Sequence, residues 1–170
     1  MSPANPLQKQ LENERFLRAA EYAKNSSQGL KKLSSTELSY INQLCLALEA
    51  STWRLQPAKV EVPGHGAISF SVLSNPIARA REILGEVERI AAEDSAWEGA
   101  LQVYSQLVIE HLFQEANRRT AALACYWILS REGIKVDPQD LLAVPVGNLR
   151  ELKSLEIFKS NLKSLEKGDL

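Results

Sequence analysis

The sequence predicts a mostly α-helical fold with one β-hairpin, and three observations carry that prediction. Apolar residues recur at three- and four-residue spacing through most of the chain, as in Leu38, Ile41, Leu44, Cys45 and Leu48. Residues 52–72 break this habit and alternate around the glycine turn Pro63-Gly64-His65-Gly66. Helix-start signals precede the periodic runs: Ser34 with Glu37 at capping-box spacing, and Ser74-Asn75-Pro76 with proline near a first turn.

Taken in order, a first helix is expected over residues 7–24, with Leu11, Phe16, Ala19, Ala20 and Ala23 as its apolar stripe and Asn-Ser-Ser-Gln-Gly as its stop. The second begins after Ser34. The hairpin follows, its strands alternating over residues 59–62 and 67–72. A third helix over 77–92 carries Ile83, Leu84, Val87 and Ile90. A fourth, over 97–109, carries Trp97, Leu101, Tyr104, Leu107 and Val108. A buried helix over 120–131 ends at Gly133, and Asp137-Pro138 restarts another. Residues 146–170 read as amphipathic, with Leu149, Leu152, Leu155, Phe158 and Leu162 on one face.

At 170 residues the chain is expected to form a single domain, long enough to bury a real core. A net charge of −1 argues against a nucleic-acid partner, because that binding relies on many phosphate contacts. No apolar run approaches a membrane span, and the first ten residues lack the order of a signal peptide, so a cytoplasmic location is expected, or else export by a route that leaves no such mark. Cys45 and Cys125 sit in apolar helical runs without a Cys or His at metal-ligand spacing. They read as small core residues. Trp53, Trp97 and Trp127 read as packing residues, and His65 as part of ordinary turn chemistry.

The stretch VIEHLFQEANRRTAALACYWIL, residues 108–129, does not read as packing alone. Within nine residues His111, Phe113, Glu115, Asn117, Arg118 and Arg119 interrupt its apolar pattern. A polar loop feeding a helix presents unpaired backbone N–H groups and a positive dipole end, where phosphate binds readily. Arg118 and Arg119 offer forked hydrogen bonds to phosphate oxygens. Glu115 can hold Mg2+ against those oxygens. His111 can take a proton from an attacking hydroxyl. Asn117 orients the loop or donates to a phosphate, and Phe113 anchors the loop in the core. Arginines by themselves are most often solvated charge, and a histidine at a helix end is most often structural; the chemical reading rests on the cluster.

The run His111-Leu-Phe-Gln-Glu-Ala-Asn-Arg-Arg-Thr-Ala closely resembles the signature of the Fic/Doc (Fido) family, H-x-F-x-[D/E]-[G/A]-N-[G/K]-R, at His111, Phe113, Glu115, Asn117 and Arg119. The resemblance covers residues 34–137, with the site loop at 111–119. It implies an all-α core and an ATP-dependent, Mg2+-assisted transferase that modifies a Ser, Thr or Tyr hydroxyl of a target protein. His111 would be the general base, Glu115 the metal holder, and Ala116, Asn117, Arg118 and Arg119 the phosphate cradle. The segment Ser51-Thr-Trp-Arg-Leu resembles the entry to the family's flap, here residues 55–72. By that likeness Arg54, Val60 and Val62 would dock the target as an added strand.

Three residues depart from the family's AMP-transferring members. Ala116 and Arg118 stand where those have glycine, and Ala122 where they have a second arginine. All three resemble the Doc branch, which transfers a phosphoryl group, whereas the flap resembles the AMP-transferring branch. AMP transfer is the expected activity, with phosphoryl transfer and a catalytically dead scaffold as the alternatives. The family's inhibitory pattern [S/T]-x-x-x-E-[G/N] has only a partial counterpart at residues 8–13, where Gln8 replaces the hydroxyl residue. A separate antitoxin or inhibitory protein is therefore an equal expectation.

Overall fold

The computed structural model describes residues 5–167. Seven α-helices and a short terminal 3-10 turn are found there, with one two-stranded antiparallel sheet. The helices are α1 (Pro6–Ser26), α2 (Ser35–Leu46), α3 (Pro76–Glu93), α4 (Ala96–Glu110), α5 (Asn117–Arg131), α6 (Pro138–Ala143) and α7 (Leu152–Lys163). The strands are β1 (Ala58–Val62) and β2 (Gly66–Phe70).

The start signals act as their chemistry requires. Ser34 Oγ accepts from the Glu37 amide at 3.1 Å, and Asn75 Oδ1 accepts from the Ala78 amide at 2.9 Å, each filling one of the donors a helix start leaves open. Pro76 is the first residue of α3, where its missing N–H costs nothing. In the hairpin Val60 pairs with Ile68 and Val62 with Gly66, and the tight turn between them uses Gly64 and Gly66 at positive φ.

Helix α5 is the axis of the fold. From Thr120 to Leu129 every residue is buried, and α5 packs against α1, α2, α4 and α6. Ala121, Ala122 and Ala124 keep it slim enough for neighbours on all sides, so that its buried surface is a continuous core rather than one stripe. Phe16, Ala19, Ala20 and Ala23 do form the inner face of α1, but Leu11 is largely exposed. Trp97 and Trp127 are core residues, and Trp53 stacks on Phe113 with ring centroids 4.4 Å apart. Burial pushes the Cys45 thiol up to about 12 and the Cys125 thiol higher still, so both are inert core residues.

Two expectations need correction. The helix after the polar loop begins at Asn117, three residues before the expected start, because Arg118 and Arg119 belong to its first turn and carry no apolar period. Residues 146–151 are not helical: Gly147 and Asn148 belong to a strap leading to α7, which ends at Lys163. Leu149 is buried from that strap, while Leu152 is exposed, so the supposed single apolar face is broken. Residues 168–170 lie outside the described region.

Candidate active site

The end of α4 and the start of α5 meet at a six-residue turn built on two left-handed residues. His111 closes α4 at φ 52° and Ala116 opens α5 at φ 58°. Neither is glycine, and L-residues enter this region at a cost of about 1 kcal/mol each, so the surrounding bonds must hold the turn. Asn117 supplies two of them. Its Oδ1 accepts from the Phe113 amide at 2.9 Å and its Nδ2 donates to the Phe113 carbonyl at 2.8 Å. Both polar atoms of this buried amide are thereby committed to the loop. Of the two roles read from the sequence for the Asn117 side chain, the geometry realises the orienting one.

Phe113 is buried and pairs through an isolated β-bridge with Trp53, which ties the loop to the segment entering the hairpin. The Gln114 amide donates to the Thr52 carbonyl and the Arg54 amide to the Leu112 carbonyl, both at 2.8 Å. A buried residue that the sequence did not single out, Asn42 on α2, completes the brace. Its Nδ2 donates to the Glu115 carbonyl at 2.9 Å and to Thr120 Oγ1 at 3.0 Å, while Thr52 Oγ1 donates to its Oδ1 at 2.5 Å. Nothing in the local sequence distinguishes this asparagine from a surface residue, since Glu115 and Thr120, which accept from its amide, lie more than seventy positions away.

Arg54 is placed differently from its expected docking role. It is only 3% exposed, and its donors are directed at backbone carbonyls. Nε donates to His111 at 2.6 Å, Nη1 to both Gln56 and Ser71 at 2.7 Å, and Nη2 to Glu110 at 3.3 Å. The side chain is thus a clamp between the two roots of the hairpin and the end of α4, with no face left for an incoming strand. Val60 and Val62 do sit together, half-buried on the inner face of β1.

One cavity of about 550 Å³, within the range of small-molecule sites, gathers the remaining residues. Val60, Val62 and Phe70 of the hairpin line it, as do His111, the 115–119 turn and the 146–150 strap. The Phe70 ring stacks on His111 with centroids 4.5 Å apart. Burial first, then the Arg54 and Arg150 charges, push the His111 pKa down to about 4, so its imidazole is neutral at pH 7. Ala116 provides no side-chain cap, and the first amides of α5 are left to face the cavity without one.

The arginines of the turn divide. Arg118 Nη2 donates to the Leu142 and Val144 carbonyls at 2.7 and 2.8 Å, drawing the guanidinium toward the end of α6. Arg119 is half-buried and among the described residues makes only a long 3.4 Å bond to the Cys45 carbonyl, which leaves it donors for a ligand. The Glu115 side chain lines the cavity and makes no hydrogen bond or ion pair among the described residues. Among those residues no group of three His, Cys, Asp or Glu side chains could cage a metal. A free carboxylate beside a helix start still suits Mg2+, which commonly takes one or two carboxylates and fills its octahedron from phosphate and water.

The chain has a Fic fold. Among solved structures it is similar to a Fic domain-containing signalling protein from Bacteroides thetaiotaomicron, with a TM-score of 0.68 and 18% sequence identity, over 100% of this chain and 77% of that one. No protein-family profile matches the chain, and no curated protein matches it significantly. The partial inhibitory pattern at residues 8–13 lies on α1, which contributes nothing to the cavity lining among the described residues. No described helix is long and apolar enough to cross a membrane.

Proposed function

We propose that this chain transfers AMP from ATP to a Ser, Thr or Tyr hydroxyl of a target protein. The observation that carries the reading is the juxtaposition of His111 and the uncapped start of α5 on the walls of one cavity. Backbone amides and helix dipole there favour phosphate, and a neutral imidazole beside them is in the form that accepts a proton.

The target docks along the hairpin, where a two-stranded sheet leaves backbone groups for an added strand. Its hydroxyl oxygen attacks the α-phosphorus and forms the new O–P bond. The bond from that phosphorus to the bridging oxygen breaks, pyrophosphate leaves, and the hydroxyl proton passes to His111. The α5 amides and Arg119 stabilise the charge that builds on the phosphate oxygens. Phosphate charge near His111 also raises its proton affinity from the low value of the free chain. Glu115 would hold Mg2+, which when bound neutralises charge on the phosphates.

Arg118 bears on which group is moved. Had its guanidinium filled the space above the α5 amides, it would have favoured another nucleotide orientation and phosphoryl transfer. Its bonds to Leu142 and Val144 draw it to α6 instead, which supports AMP transfer. Incubation of the chain and cell lysate with ATP labelled at either the α- or the γ-phosphate tests this. Label entering protein from the α position, and lost with His111→Ala, is the expected result. Label from the γ position alone means phosphoryl transfer, and no label from either overturns the enzyme in favour of a scaffold.

A further inference from the structure

Arg150 was not singled out by any motif, yet it occupies the cavity wall beside His111. It lies on the strap between α6 and α7, well separated in sequence from the site loop. Its guanidinium carbon stands 4.4 Å over the Phe70 ring, which also stacks on His111 at 4.5 Å and lies under the Arg54 guanidinium at 5.8 Å. Nη1 donates to the Ser69 carbonyl at 2.9 Å. Stack and hydrogen bond together fix a side chain that would otherwise be a mobile surface arginine.

Two arginines flank His111, and they differ in what they have left to offer. Arg54 is buried, with Nε and both terminal nitrogens bonded to backbone carbonyls. Arg150 is exposed, has that single side-chain bond, and makes no ion pair among the described residues; its neighbour Glu151 faces His65 instead. A fixed guanidinium with free donors, beside a neutral base and an uncapped helix start, forms one side of an anion site, and neither carboxylate of the cavity lining, Glu61 or Glu115, is ion-paired with it.

We propose that Arg150 is a phosphate-binding residue of this cavity, grasping the nucleotide's phosphate chain from the strap side, opposite the α5 amides. This rests on the nucleotide-transferase reading above. Because the same guanidinium holds Ser69 of β2, phosphate binding also steadies the hairpin against the cavity, so loading the nucleotide prepares the strand along which a target docks.

The test is calorimetric binding of a non-hydrolysable ATP analogue with Mg2+, and of adenosine, to the full chain and its variants. Arg150→Gln keeps a donor for Ser69 and removes the charge, while Arg150→Lys keeps the charge without the fork. The expected result is analogue binding weakened on the order of tenfold or more by Gln, partly restored by Lys, with adenosine binding and thermal midpoint unchanged. Glu151→Gln should leave all of these as they are. Equal analogue affinity for wild type and Arg150→Gln overturns the proposal, even if transfer to protein falls, since that pattern means an acidic group on the target is the true ligand. Equal loss of analogue and adenosine binding overturns it too, by making Arg150 a residue of cavity shape. Failure of the wild-type chain to bind any nucleotide is a separate result that removes the parent reading as well.

Discussion

Arg54 donates its Nε hydrogen to the carbonyl oxygen of His111 at 2.6 Å. The same side chain holds Gln56 and Ser71, the two roots of the hairpin, so the histidine backbone and the hairpin share one buried clamp. Arg54→Ala leaves several carbonyls without a donor, and a loss of about 3 kcal/mol is expected. Chemical denaturation measures it. Arg54→Lys should recover only part of that stability, because one ammonium cannot reach the four carbonyls that the guanidinium fork spans.

The Asn117 amide does comparable work inside the turn. Asn117→Ala should cost about 2 kcal/mol in the same denaturation series. Asn117→Asp should cost as much, since a carboxylate can accept from the Phe113 amide but cannot donate to its carbonyl. Both variants should lose transfer activity through disorder of the turn, seen as loss of hydrogen-exchange protection at the Phe113 amide.

Ala116 sits at φ 58°, a conformation that glycine takes without strain. Ala116→Gly is therefore expected to leave the fold unharmed or stabilise it by up to about 1 kcal/mol. Ala116→Val should destabilise it by at least as much. Thermal midpoints of the three proteins give the order Gly, Ala, Val.

His111 makes stability depend on pH. Its pKa is about 4 in the folded chain against an ordinary 6.5, so between these values the unfolded chain binds the extra proton. Folding stability contributed by the neutral histidine is fully present above pH 6.5 and is lost as pH falls toward 4. Arg54 and Arg150 face the ring as cations, and Glu61, Glu115, Arg118 and Arg119 line the same cavity. Denaturation at pH 7 and pH 5 should show a drop in the wild type that is smaller in His111→Gln. An NMR titration of the ligand-free chain should place the imidazole midpoint well below 6.5.

Much of this was legible in the sequence, for reasons that differ by element. The hairpin showed itself because alternation and the Pro63–Gly66 turn are local signals, and α2 because Ser34 and Glu37 cap it across three residues. The site loop was legible from residue types at fixed spacing, and the structure places His111, Glu115, Ala116, Asn117, Arg118 and Arg119 along one cavity. What escaped were the partners of those residues. Arg54 and Arg118 carry charge that reads as ligand-directed, but backbone carbonyls at distant positions claim it. Asn42 and Arg150 reach the site only through folding, and no sequence spacing connects them to His111. The strap was hidden by leucines whose spacing mimics a helix across Gly147 and Asn148.

The most direct measurement is an experimental structure of the chain with Mg2+ and a non-hydrolysable ATP analogue. Phosphate oxygens within hydrogen-bond reach of the amides of residues 117–119, with the His111 imidazole facing the α-phosphorus, are the predicted result. A nucleotide bound elsewhere, or a His111 ring turned away from the phosphates, would contradict the account and leave a Fic fold without the chemistry assigned to it.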